Sequence, residues 1–194
     1  MTNQKLARIL NVTATSLIVL NIIVFAIFGF SKRNKNMQFK AYEYYNLGMK
    51  AFKVNDFETA VYYFNNVAKN YKWSYVSEAS QLKVADIYLI NLRDIDKALD
   101  AYKDYVKNFP TGKNIDVVKK RIDFIETFRK DGKALLTFLK GHFLLTNGDY
   151  RSAMYYFKRV VNLYTKSEIA WRAAYEYTEL KKKFPAIAKE IEKY

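Results

Sequence analysis

The first residues to test for chemistry are a single histidine, a scatter of carboxylates and several basic clusters. His142 is the one histidine among 194 residues. Neither a serine-histidine-aspartate order nor an HExxH helix surrounds it, so it lacks the partners for nucleophilic or zinc-dependent hydrolysis. The chain has no cysteine, which removes thiolate catalysis, thiolate metal sites, disulfides and a lipid-modified N-terminal cysteine. Its glycines, Gly29, Gly48, Gly112, Gly132, Gly141 and Gly148, stand apart from one another, so none forms a phosphate-cradling loop. The carboxylates fall mostly at helix starts and on solvated faces, where they cap and pair. The expectation is therefore a protein that is not an enzyme, with no catalytic, cofactor-binding or metal-ligating residue and no cofactor.

The basic residues carry a second kind of chemistry. The formal charge is +14, and clusters occur at Lys119-Lys120-Arg121, Arg129-Lys130 with Lys133, Arg151 with Lys158-Arg159, and Lys181-Lys182-Lys183. Cations interleaved with stacking aromatics hold nucleic acid, and a basic face holds anionic lipid. Most of the 17 tyrosines, however, fall on apolar stripes that read as core. A solvated face is the favoured reading and nucleic acid is disfavoured as a partner. A basic surface-binding module for anionic lipid or RNA is the alternative function.

These residues need elements to position them, and with 6 Gly and 2 Pro in the chain the elements are expected to be helices. After a short basic tail at residues 1–8, the run ILNVTATSLIVLNIIVFAIFGF carries no charge, a length that matches the hydrocarbon core of a bilayer. Bulky Phe residues followed by Lys32, Arg33, Lys35 and Lys40 lack the small-x-small cleavage site of a secretory signal. Residues 9–31 are thus expected to be an uncleaved transmembrane signal anchor, followed by a basic juxtamembrane linker at 32–40. The protein is placed in the inner or plasma membrane with one span, and the side of its C-terminal domain stays open because both flanks are basic.

Beyond the anchor, one phrase is written three times: DFETAVYYFNNVAKNY from Asp56, DIDKALDAYKDYVKNF from Asp94 and DYRSAMYYFKRVVNLY from Asp149. Aligned without gaps, their apolar positions recur at 0, 3, 4, 7, 10, 11 and 14, which is one face of an α-helix. Each opening Asp is a predicted N-cap. Upstream of each lies a second apolar stretch (YYNLGMKAF, LKVADIYLI, FLKGHFLLT) and a short polar turn. Three hairpins in matching register form an internal repeat whose members bury their faces against one another.

YYNLGMKAFKVNDFETAVYYF closely resembles the tetratricopeptide repeat. Gly48, Ala60 and Phe64 match the family pattern in the first hairpin, Ala98, Tyr102 and Pro110 in the second, and Gly141, Ala153 and Phe157 in the third, while Ala85-Asp86 replaces the usual Leu-Gly of the second. The resemblance implies an all-α, right-handed solenoid over residues 41–194, with repeats at about 41–74, 79–110 and 134–165. NIDVVKKRIDFIETFRK supplies a bridging helix at about 114–130, and the segment opening at Ser167 supplies a capping helix at about 167–183. The resemblance further implies protein binding in a concave groove lined by the first helix of each hairpin: Tyr45, Met49 and Phe52, then Lys83, Ile87 and Ile90, then Phe138, His142 and Leu145. Those side chains are mostly apolar, which suits an extended hydrophobic or amphipathic client segment, unless a neighbouring repeat or the capping helix covers them. The chain is similar to bacterial single-span tetratricopeptide proteins of the translocon-associated type, and to those of outer-membrane assembly apart from the missing lipidation cysteine. The expected function is a membrane-anchored scaffold or assembly factor with a protein client. Whether several copies assemble is left open.

Overall fold

The computed structural model describes residues 20, 23, 24, 31 and 33–193. The predicted span at 9–31 lies outside the described residues except for Leu20, Ile23, Val24 and Ser31. Among the described residues no helix is long and apolar enough to cross a membrane, and none forms a strand.

Residues 33–53 form helix α1, so the segment expected as a linker is helical from residue 33 onward. It contains neither Gly nor Pro, and nothing in it interrupts the backbone ladder. The helices that follow are α2 (Phe57–Asn70), α3 (Ser77–Asp86), α4 (Ile95–Asn108), α5 (Ile115–Phe128), α6 (Lys133–Thr146), α7 (Tyr150–Leu163), α8 (Ile169–Lys183) and α9 (Pro185–Glu192). The three repeated phrases are α2, α4 and α7. Each is capped as its sequence requires: Asp56 accepts from the Thr59 N–H at 3.2 Å, Asp94 from Lys97 at 3.0 Å and Asp149 from Ser152 at 3.0 Å. The expected cap Ser167 shares its task, since the Ile169 N–H donates to Ser167 Oγ at 3.2 Å and to Asp131 Oδ2 at 2.9 Å.

Helix α3 lies between α2 and α4, α4 meets α5, α6 meets α7, and α7 meets both α8 and α9. The apolar stripes become the core. Ala60, Phe64, Ala98, Tyr102, Ala153 and Phe157 are all 0% exposed, whereas Pro110 stays at the surface after α4. Fully burying one such aromatic contributes about 1.5–3 kcal/mol. In the first and third hairpins a glycine lets the aromatic approach. A Cβ on Gly48 would stand 2.8 Å from the Phe64 ring, and one on Gly141 would stand 2.7 Å from Phe157.

The second hairpin solves the same contact differently. Asp86 holds the position of those glycines, and its Oδ1 accepts a 2.5 Å hydrogen bond from the Tyr102 hydroxyl. Directly after it, α3 widens into a π turn at Ile87–Asn91. This turn touches α4 and α6 and so links the first two hairpins to the third.

Candidate functional site

The π turn also lines a pocket of about 770 Å³ walled by α3 with its π turn, α5, α6 and α8. That volume is in the range of small-ligand and peptide-anchor sites. Asp86, Leu89 and Ile90 form one side, and Lys120, Arg121 and Phe124 project from α5. Helix α6 supplies Phe138, Leu139, His142, Phe143 and Thr146, and α8 supplies Trp171, Arg172, Tyr175 and Glu176.

The walls are aromatic and the charges are held in place. Phe124 stacks on Phe138 with ring centroids 5.6 Å apart, and the Arg172 guanidinium lies over Phe124 at 5.4 Å and over Phe128 at 4.9 Å. Such cation–π contacts fix a long side chain that would otherwise sample many rotamers. Arg121 Nη1 donates to Asp86 Oδ1 at 2.7 Å and to the Tyr102 hydroxyl at 3.0 Å. Burial pushes the Asp86 carboxyl above its ordinary value, with Arg121 and the Tyr102 bond pulling the other way. Burial likewise pushes the Tyr102 hydroxyl well up, and the adjacent Asp86 charge adds to it.

His142 sits edge-on to Phe138 at 4.8 Å and has Nε2 3.4 Å from Glu176 Oε1. Burial holds its imidazole below the ordinary value, and Glu176 partly offsets this. A histidine oriented by a carboxylate is half of a nucleophilic triad. The aliphatic hydroxyl in this pocket, that of Thr146, donates to the Phe143 carbonyl of its own helix at 2.9 Å.

Of the groove residues expected from sequence, Ile90, Phe138 and His142 line this pocket. Ile87 does not, being 2% exposed within the core at the end of the regular part of α3. Tyr45, Met49, Phe52 and Leu145 pack half-buried on the core outside the pocket, and Lys83 Nζ lies 5.5 Å over the Phe52 ring. The capping helix α8 forms a wall of the groove instead of covering it. Sequence reasoning missed the contributions of α5 and α8, which read as structural additions. The available signal was Asp86, a carboxylate in an apolar stripe at a place where the sister repeats have glycine.

Some members of the basic clusters are tied to carboxylates elsewhere in the chain. Arg129 pairs with Asp96, Lys130 with Glu168 at 2.6 Å, Arg151 with Glu190 and Lys181 with Glu192. Among the described residues no group of three or more His, Cys, Asp or Glu is placed to hold a metal ion.

Residues 79–112 match the family model described as tetratricopeptide repeat. No curated protein matches the chain. The match spans α3, the π turn and α4, and tetratricopeptide repeats generally serve as protein-protein interaction scaffolds. The second hairpin is thus similar to a tetratricopeptide repeat, and among the described residues the first and third hairpins repeat the same capped, stripe-matched unit.

Proposed function

We propose that this protein is a membrane-anchored scaffold or assembly factor that holds a segment of a client protein in the groove between α3, α5, α6 and α8. The observation that carries the reading is the pocket itself: aromatic walls for apolar side chains, with Arg121 and Arg172 fixed at their edges to meet a client backbone carbonyl or carboxylate. The anchoring part rests on the uncharged run at residues 9–31.

The test is site-specific photo-crosslinking in the full chain in its native membrane. A probe at Ile90 or Phe143 should give a discrete heavier adduct that disappears when Trp171 and Tyr175 are both changed to Ala. A probe at the exposed Val117 should give none. Adducts only between copies of the chain, or the same adducts from all three positions, would remove the groove from consideration.

A further inference from the structure

A second surface lies at the other end of the molecule, beside the start of α1. Gln38 spends its whole side-chain amide on the turn between α2 and α3: Nε2 donates to the Trp73 carbonyl at 3.1 Å, and Oε1 accepts from the Tyr75 N–H at 3.2 Å. Beneath it, Ala41, Val67 and Val76 form a small buried cluster separate from the main core. These contacts fix the turn against α1, yet the aromatics they position are left outside. Trp73 is 86% exposed, Tyr75 82%, Phe39 73% and Tyr42 45%. Rigidly presented aromatics of this size mark an interaction surface.

Charge identifies the partner. Arg33, Lys35, Lys40 and Lys72 are exposed on the two segments that carry these rings, against one exposed carboxylate at their border, Glu43, while Glu78 is taken up by the Tyr105 hydroxyl. Trp and Tyr with a collar of Lys and Arg are the composition of the bilayer's headgroup region, where amphipathic rings sit between hydrocarbon and water and cations meet anionic lipid. Position agrees with composition. Gln38 lies seven residues beyond Ser31, about 10 Å along a helix axis, just past a headgroup layer about 5–8 Å thick and within the reach of a Trp or Phe side chain that leans back toward it. The Cα–Cβ bonds of α1 tilt toward its N-terminus, so Phe39 and Tyr42 lean toward the bilayer.

We infer that the face formed by Phe39, Tyr42, Trp73 and Tyr75, with its basic collar, docks in the anionic headgroup interface of the membrane that anchors the chain. The inference rests on the anchor proposed above. Docking at two points, one through α1 and one through the α2–α3 turn, would set the solenoid at a fixed tilt and give the client groove a defined orientation to the bilayer.

The chain has two tryptophans, one on this face and one in the groove, which makes the test direct. The full chain with Trp171→Phe is reconstituted in phosphatidylcholine–phosphatidylglycerol vesicles, so that Trp73 alone emits. Its emission should be blue-shifted, lose more than half its intensity when the lipid is brominated near the headgroup end of the acyl chain, and resist aqueous iodide. The Trp73→Phe variant, reporting on Trp171, should show the reverse. Gln38→Ala should restore iodide quenching of Trp73, and purely neutral vesicles should weaken the bromolipid effect. If the chain floats with the vesicles while Trp73 remains open to iodide and blind to brominated lipid, the docking inference fails and the anchor stands. Shielding from iodide without bromolipid quenching would mean that protein covers the patch, and also overturns it. A chain that does not float with the vesicles overturns the anchor as well.

Discussion

Asp86 shows how one residue converts a packing position into a binding one. In the first and third hairpins the equivalent glycine lets a Phe ring press on the helix backbone. In the second the carboxylate holds the Tyr102 hydroxyl and gathers Arg121 from α5, at the edge of the pocket. Asp86→Gly should therefore not restore the sister arrangement. It leaves the buried hydroxyl without its acceptor, and a urea titration should show a loss of about 2 kcal/mol. Adding Tyr102→Phe should recover part of that loss by removing the orphaned hydroxyl and recreating the Gly48–Phe64 type of contact. A double variant no more stable than Asp86→Gly alone would contradict the hydrogen-bond account.

His142 makes a pH prediction at the same scale. Its folded-state value is held below 6.5 by burial, against the opposing pull of Glu176 and with Arg121 adding to the depression. The unfolded chain then binds the proton more readily, so stability is complete above 6.5 and falls as the pH drops through that value. Urea midpoints measured between about pH 7.5 and about pH 5.5 should decline, and His142→Gln should flatten that decline. Asp86, raised from 3.8 by burial, has the opposite sign: its contribution to stability is complete below 3.8 and is lost as the pH rises through its folded-state value.

At the scale of the element, the three hairpin turns end on the same backbone geometry. The residue before each capping Asp has positive φ: 61° at Asn55, 59° at Arg93 and 80° at Gly148. Asn and Gly tolerate that region, whereas an arginine there places its Cβ against the backbone. Arg93→Gly should raise the stability of the domain by about 1 kcal/mol, read as a higher thermal midpoint, and a lower midpoint would show that the exposed side chain makes a contact that outweighs the strain. The helices and their starts were legible because they depend on local chemistry: an Asp within reach of the N–H three residues on, and apolar side chains spaced at three and four. The π turn at Ile87–Asn91 was not legible. Its widened ladder lies where the chain after α3 meets α4 and α6, contacts between residues far apart in sequence that local spacing does not encode.

At the scale of the whole molecule, the charge of +14 already subtracts the 19 carboxylates from the 33 Lys and Arg, so ion pairs fix where charge sits without lowering the total. The ion pairs of Arg129, Lys130, Arg151 and Lys181 each join residues distant in sequence. Because the groove is walled by Phe124, Phe138, Phe143, Trp171 and Tyr175, client capture there should change by less than about tenfold between about 50 and about 200 mM salt, where a protein held by six or more phosphates loses about a thousandfold or more. A loss of that size, measured on the isolated adduct partner, would favour the basic-surface alternative. By itself the sequence determined three capped amphipathic hairpins, the face each one buries, and an uncharged run long enough for a bilayer, because each depends on residues within a few turns of one another. Only the tertiary structure decided which helices meet. It turned α5 and α8 into walls of the groove, brought Asp86 of one repeat to Arg121 of the bridging helix, and clamped Trp73 beside α1. Periodicity fixes the direction a helix faces and leaves open the partner it faces.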